Sequence, residues 1–442
     1  MNGIIRKYDP YLDEEYFRFR HRSGLEVYVM PNKLATSYAI LATRYGSFDN
    51  CFGTNGATPQ PVPEGIAHFL EHKLFENSDG SDTFERFALH GANSNAYTTF
   101  DRTAYLFSST EDHAACLGEL LRFVYDPYFT PETVKKEQGI IGEEIKMGLD
   151  SPSRARFRLL TRLLYRNHPI SEDIAGSVES IAQITDKLLY RCYNTFYAPH
   201  NMILVAAGAF APEEVSSLCD GLVPDRPTET IERSRPKEER SVRAHRGTER
   251  MCVAKPLFAI GFKDDIRGKT APELLHRSLT LSVLSELLFG ETSPFYAKML
   301  QTNLADRIAA SSLNYDDLEF AYVQGSAEDP EAVYREVIAA IDTVKRTGVD
   351  REAFARIRKA QLSDLVQAYN SSEEICELML DCALLGCDPF EYAAVLRAVT
   401  PEDAEALLSE LFDERYAAMA VIDRLNVPSE DEEQNEAEEE DQ

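Results

Sequence analysis

Three residues in the first quarter of this 442-residue chain have types and spacing suited to chemistry. His68, Glu71 and His72 fall within Gly65-Ile66-Ala67-His68-Phe69-Leu70-Glu71-His72-Lys73-Leu74-Phe75, whose apolar spacing predicts an amphipathic helix. Helical residues advance about 100° each, so the three side chains share a face. Two imidazoles one turn apart can grip one metal ion, and a carboxylate beside them can reach a water on that ion. The same order arises by chance in unrelated helices, where an ordinary half-buried histidine pair is the default. A third ligand must therefore come from elsewhere in the chain.

A second predicted helix, Pro131 to Met147, offers one. With Glu137 as origin, Ile141 falls near about 40°, Ile140 near about 300°, Glu144 near about 340° and Glu143 near about 240°. Glu137 and Glu144 are thus expected to share an apolar face with the two isoleucines, and Glu143 to face solvent. A carboxylate on such a face is costly unless something pairs with it. A bound cation would do so, and so would a buried arginine. His72 and Glu144 are separated by 71 residues, enough for the two helices to pack side by side.

Other elements must position these helices. Phe17 to Pro31 reads as a hairpin turning at Ser23-Gly24, and Ser37 to Arg44 as a strand. A loop containing Gly53, Gly56, Pro59, Pro61 and Pro63 leads into the first helix. Gly91 to Asn95 reads as a break, followed by strands over Ala96 to Thr99 and Thr103 to Phe107 and a helix over Glu111 to Tyr125. Gly221 to Arg250 carries three prolines, many arginines and glutamates and few large apolar residues, which suggests a linker.

Beyond it the pattern recurs. Leu257 to Phe262 matches Tyr38 to Thr43, Asp350 to Gln367 parallels Thr130 to Met147, and Thr400 to Ile422 parallels Ile184 to Val205. The helix Leu274 to Phe289 stands where the histidine helix stands, and aligning Leu288-Phe289 with Leu74-Phe75 puts Ser282, Ser285 and Glu286 at the places of His68, Glu71 and His72. One copy looks chemical and the other structural. The expected organisation is a metal-bearing domain over 1–220, a linker over 221–250, a degenerate repeat over 251–427 and an acidic tail over 428–442. The tail holds nine acidic residues and almost nothing apolar, so no packed structure is expected there.

Composition narrows the partners. A hydrophobic content of 44% supports large cores, and a net charge of −28 argues against nucleic acid. The eight cysteines form no C-x-x-C pair and read as reduced thiols. Residues 1–24 lack an apolar core, and no run approaches the roughly 18 apolar residues of a membrane span. The expectation is a soluble cytoplasmic protein with no membrane partner.

Taken together, these residues resemble the pitrilysin/insulinase family of zinc metallopeptidases, the inverzincins, which includes the mitochondrial processing peptidase. The marks are His68-x-x-Glu71-His72, Glu137 and Glu144 seven apart, Asn95-Ala96-x-Thr98 with Thr103 and Tyr105, and Tyr197-x-Pro199-x-Asn201-Met202. Pro63-x-Gly65-Ile66-Ala67-His68 and Tyr45-Gly46-Ser47-x-Asp49-Asn50 are most like the bacterial YmfH-type members. The similarity spans about residues 20 to 425. It implies an α+β chain of two tandem homologous α/β units, each an antiparallel-rich sheet with helices on one face, forming half of a peptidase clamshell. The other half would be a second copy or a homologous subunit, giving a homodimer or heterodimer.

The resemblance further implies one Zn²⁺ per chain on His68, His72 and Glu144, with Glu71 as general base and Glu137 as its catalytic companion, orienting a ligand or water. Asn95 and Ala96 would bind a peptide substrate along a sheet edge. Some members also position substrate with an arginine and a tyrosine in the second half. Here Gln301 stands at the arginine position and the tyrosine is absent. The expected activity is zinc-dependent endopeptidase action on peptides or small unfolded proteins. The alternatives are a subunit active only with a non-catalytic homologous partner, or a non-catalytic scaffold.

Overall fold

The computed structural model describes residues 3–425. The expected acidic tail, 428–442, lies outside them. In chain order the strands are β1 (Ile5–Asp9), β2 (Glu14–Arg20), β3 (Glu26–Pro31), β4 (Ser37–Thr43), the short β5 (Cys51–Thr54) and β6 (Gln60–Pro61), β7 (Asn93–Thr98), β8 (Thr103–Ser109) and β9 (Met202–Gly208). After these come β10 (Ile231–Arg233), β11 (Arg246–Met251), β12 (Leu257–Lys263), β13 (Asp306–Asn314), β14 (Glu319–Ser326) and β15 (Ala417–Arg424).

The first large sheet has the order β1-β2-β3-β9-β4-β8-β7, and the second β11-β15-β12-β14-β13. The last five strands of the first sheet correspond one to one with the second. In each, the pair β3/β9 or β11/β15 is parallel and the remaining pairs are antiparallel. The internal repeat read from the sequence is thus a repeat of topology, to which the first unit adds β1 and β2. The segment expected to be a linker is partly ordered into sheets. β10 pairs with β5, and β11 begins at Arg246, because its backbone is needed to extend the second sheet beside β15.

Five helices of the first unit matter for the site: α1 (Ile66–Leu74), α2 (Thr83–Ala88), α3 (His113–Tyr125), α4 (Pro131–Leu149) and α5 (Pro152–Leu164). The first core gathers Val27, Leu41, Ile66, Phe69, Leu70, Leu117, Leu121 and Ile141 beneath the inner faces of α1, α3 and α4. The helices α1, α3 and α4 expected from the sequence form, and two elements start elsewhere than expected, one helix and one strand. α3 starts at His113, since Asp112 holds a left-handed φ of 50°. β7 starts at Asn93, inside the stretch expected to be irregular, because pairing with β8 recruits it.

The opposite face of each sheet is covered by a helix of the other unit. α5 packs on β11, β12 and β15, with Leu160 and Leu164 against Ala259, Ala418 and Ala420. Gly261 makes room there, since a Cβ on it would stand 2.9 Å from Leu164 Cδ1. In return the helix Ser372–Leu385 lies on β4 and β9, with Ile375, Cys376, Met379 and Leu380 against Ile40, Ala42, Ile203 and Val205. Each helix follows the same element of its own repeat, α4 in one unit and Arg351–Ala368 in the other. The exchange covers one face of each sheet with apolar residues of the other unit, while each unit keeps its own core on the other face. All eight cysteines are free thiols, and six of them are buried.

Candidate metal centre

α1 is launched by Gly65, whose φ of 85° is left-handed. A Cβ there would come within 2.3 Å of the Ala175 carbonyl oxygen, so glycine alone fits both the turn and the close approach. Ile66, Ala67, Phe69, Leu70 and Leu74 bury one side of the helix. That side anchors it and leaves His68, Glu71 and His72 on the other. α4 starts at a capping box between Thr130 and Thr133 with proline in its first turn, which sets the phase of the helix. Its buried side carries Val134, Glu137, Ile141 and Ile145. Ile140, expected on that side, is 49% exposed, because the buried stripe is centred on the far side of Glu137. Glu143 faces solvent and pairs with Lys146.

The two helices pack together and bring the predicted residues to one place. His68 Nε2 lies 3.7 Å from one Glu144 oxygen and His72 Nε2 lies 3.6 Å from the other. These gaps are too long for good hydrogen bonds. Ligands at about 2.0–2.2 Å from a tetrahedral ion stand about 3.4 Å from each other, so the separations suit three donors around one cation. One donor atom from each of His68, His72 and Glu144 falls within a common 4.8 Å span. Two imidazole nitrogens and one carboxylate oxygen form a donor set suited to zinc.

Glu137 is 6% exposed and its Oε1 lies 3.0 Å from His72 Nδ1. That contact assigns the proton to Nδ1 and leaves the Nε2 lone pair facing Glu144. His68 has no such companion: its Nδ1 is buried without a partner among the described residues. Burial, reinforced by His72, pushes the His68 pKa down to about 4, so its imidazole is neutral. Asp173 opposes this shift and Arg154 adds to it. For His72, burial disfavours the charge, but the Glu137 hydrogen bond and the surrounding carboxylates outweigh it and the pKa is raised.

Glu71 accepts a 2.6 Å hydrogen bond from Thr98 Oγ1, and Thr98 in turn lies 3.3 Å from Thr103 Oγ1. Burial raises the Glu71 pKa, against the lowering effects of Thr98 and His72. Thr98 as a partner of the putting-in-place of Glu71 was not expected from the sequence. The available clue was period-two alternation, which puts Thr98 and Ala96 on one side of β7. That strand is the edge of its sheet, paired with β8 alone. Asn95 is exposed and its Oδ1 accepts from the Ala96 amide at 2.9 Å, while Ala96 packs partly on the first core. Both lie on the strand that carries Thr98, and that strand packs beside α1.

A cavity of 720 Å³ lies away from this cluster, where Arg44, Arg102, Leu274, Tyr315 and Asp381 from the two units meet, and no residue of the metal cluster lines it. The cluster instead sits beside the open edge of a sheet. In the second unit, the helix Ala271–Phe289 carries Ser282, Ser285 and Glu286 at the corresponding places, and no second three-ligand cluster occurs among the described residues.

A cluster of candidate metal ligands on α1 and α4, in the first of two repeated units, can be set beside the comparison with known proteins. Residues 59–178 match the insulinase (peptidase family M16) domain, and residues 183–361 match the peptidase M16 inactive domain. The chain belongs to the insulinase, or M16, peptidase family. It is 37% identical over 407 residues to the uncharacterised zinc protease YmfH of Bacillus subtilis, covering 90% of this chain and 94% of that one. Its structure superimposes on an M16-like peptidase from Alicyclobacillus acidocaldarius with a TM-score of 0.90 at 35% identity, over 93% of this chain and 99% of the other. The periplasmic protease PqqL from Escherichia coli shares the fold at a TM-score of 0.70 and 16% identity, over 99% of this chain but 50% of PqqL. No helix among the described residues is long and apolar enough to cross a membrane.

Proposed function

We propose that this chain is a zinc-dependent endopeptidase whose ligands are His68, His72 and Glu144. The observation that carries the reading is the gap of 3.6–3.7 Å between the two histidines and the paired oxygens of Glu144, with Glu71 on the same helix face. When bound, a zinc ion would lower the pKa of a water and polarise a scissile carbonyl. Glu71 accepts the proton of the attacking water and returns it to the leaving amine. Its raised pKa suits a carboxylate that must both take and give a proton. Thr98 holds it in place. Glu137 keeps His72 in the tautomer that offers Nε2. The unpaired side of β7, with Asn95 and Ala96, offers backbone groups to an extended peptide, which would be held with little regard for its sequence.

The test is cleavage of a mixed peptide pool by the zinc-loaded chain, read by mass spectrometry beside Glu71→Gln. Glu71→Gln is expected to keep its zinc and lose cleavage by at least about a hundredfold, at the low end of what a general base contributes. Equal turnover in the variant would sink the assignment. A second reading, activity only in a pair with a homologous subunit, is favoured by two facts. The chain spans half of PqqL and has Gln301 where some relatives carry arginine. Cleavage by the purified chain as a monomer would exclude it.

A further inference from the structure

α5 carries four arginines, and three of them have partners. Arg156 donates to Gln324 Oε1 at 2.5 Å, Arg158 lies 3.9 Å from Glu249, and Arg162 donates to the Ser171 carbonyl at 3.3 Å. Arg154 is exposed, and among the described residues its guanidinium makes no ion pair or hydrogen bond. Its place in the helix is unfavourable: Ser151 caps the N-terminus by accepting from the Arg154 amide, so a cation sits in the first turn, against the helix dipole. What does fix it is Gly148. A Cβ on Gly148 would stand 2.8 Å from Arg154 Nη1, so the guanidinium fills the place of that missing side chain.

Gly148 follows Glu144 by four residues and shares its face of α4. Roots of side chains so spaced are about 5–6 Å apart. The guanidinium therefore lies one helical turn beyond the metal cluster, on the stripe that runs Glu137, Glu144, Gly148. The bland alternative is that Arg154 caps the C-terminal carbonyls of α4, but none of them accepts a hydrogen bond from it among the described residues.

Resting on the peptidase reading, we infer that Arg154 is a specificity-determining residue that binds a carboxylate of the peptide close to the scissile bond. An extended peptide advances about 3.3 Å per residue, which puts this carboxylate within about two residues of the cut. It belongs either to an acidic side chain or to the C-terminus of a short peptide. A planar, permanently charged guanidinium suits it in either case.

The experiment measures binding of labelled synthetic peptides to the full zinc-loaded chain carrying Glu71→Gln. Matched peptides carry Glu, Gln or Lys at successive positions, each as free acid and as amide. With Arg154 present, Glu peptides are expected to bind about tenfold tighter than Gln peptides, the lower end for a charge-assisted hydrogen bond. The preference is retained in part by Arg154→Lys, lost in Arg154→Gln and turned toward Lys peptides in Arg154→Glu. If it follows the free acid over the amide instead of an internal Glu, the carboxylate is the peptide C-terminus. The same order of affinities in all four forms, or no binding of any acidic peptide, overturns the inference. Turnover by the Glu71 protein separates the two readings: cleavage without charge preference removes this inference alone, and charge-selective binding without cleavage keeps the carboxylate site and removes only cleavage by the chain on its own.

Discussion

Removing the carboxylate behind His72 tests the site most directly. Glu137 is 6% exposed and 3.0 Å from His72 Nδ1, whereas His68 Nδ1 has no such companion among the described residues. Among the described residues, the hydrogen bond that orients a candidate ligand histidine is thus the one from His72 to Glu137. A carboxylate in that position is typically worth about 10–100-fold in metal affinity, or roughly 1.4–2.7 kcal/mol. Glu137→Gln keeps the shape and an acceptor oxygen but not the charge, so its expected loss of zinc affinity is about tenfold. Glu137→Ala removes the acceptor as well and should approach about a hundredfold. Stability of the metal-free chain should move much less, within about 1 kcal/mol, because the His72 side chain is 28% exposed and Nδ1 can turn to water. The assay is competition for zinc against a chromophoric chelator near neutral pH, with thermal melts of the metal-free forms alongside. Equal zinc affinity for all three proteins would refute the reasoning. So would a metal-free destabilisation as large as the loss in zinc binding, which would make Glu137 a structural ion-pair partner.

Two further outcomes follow from the geometry. Thr98→Val deletes the 2.6 Å donor to Glu71 while keeping the side-chain volume. Since that bond lowers the Glu71 pKa, its loss should move the acidic limb of the kcat/KM profile to higher pH, and an unmoved limb would show that Thr98 does not tune the base. In the second unit, burial pushes Glu319 up to about 7 despite the Arg277 guanidinium. A folded pKa above the unfolded value means that its contribution to stability is complete below about 4.5 and is lost as pH rises toward 7. Relative to the wild type, Glu319→Gln should therefore gain stability between these values, seen as a smaller fall in melting temperature from acidic to neutral pH. Parallel curves for the two proteins would count against it.

The candidate site was legible because its residues are local in the sequence. His68, Glu71 and His72 lie within five residues, Glu137 and Glu144 within eight, and helical geometry alone projects each set from one face. The repeat was equally visible, since each copy preserves its order of apolar strands and helices, and the loss of the imidazoles at Ser282 and Glu286 needs only an alignment of the two. Ile140 shows the limit of this method. A helical wheel assigns relative angles but not the direction of the core, and only the packing of α4 against α1 decided that Glu144 lies at the border and Ile140 beyond it.

The amino-acid order thus pointed to candidate ligands, to a candidate base and to two similar units in succession. Only the folded chain showed that Thr98 reaches Glu71 from the edge strand β7. The tertiary structure alone also placed α5 and Ser372–Leu385 on each other's sheets, and set Arg154 over Gly148. Each of these is a contact between segments that no local periodicity relates. Strand order depends on which partners the whole sheet leaves free. The exchange of helices depends on apolar faces that neither unit can cover from its own residues.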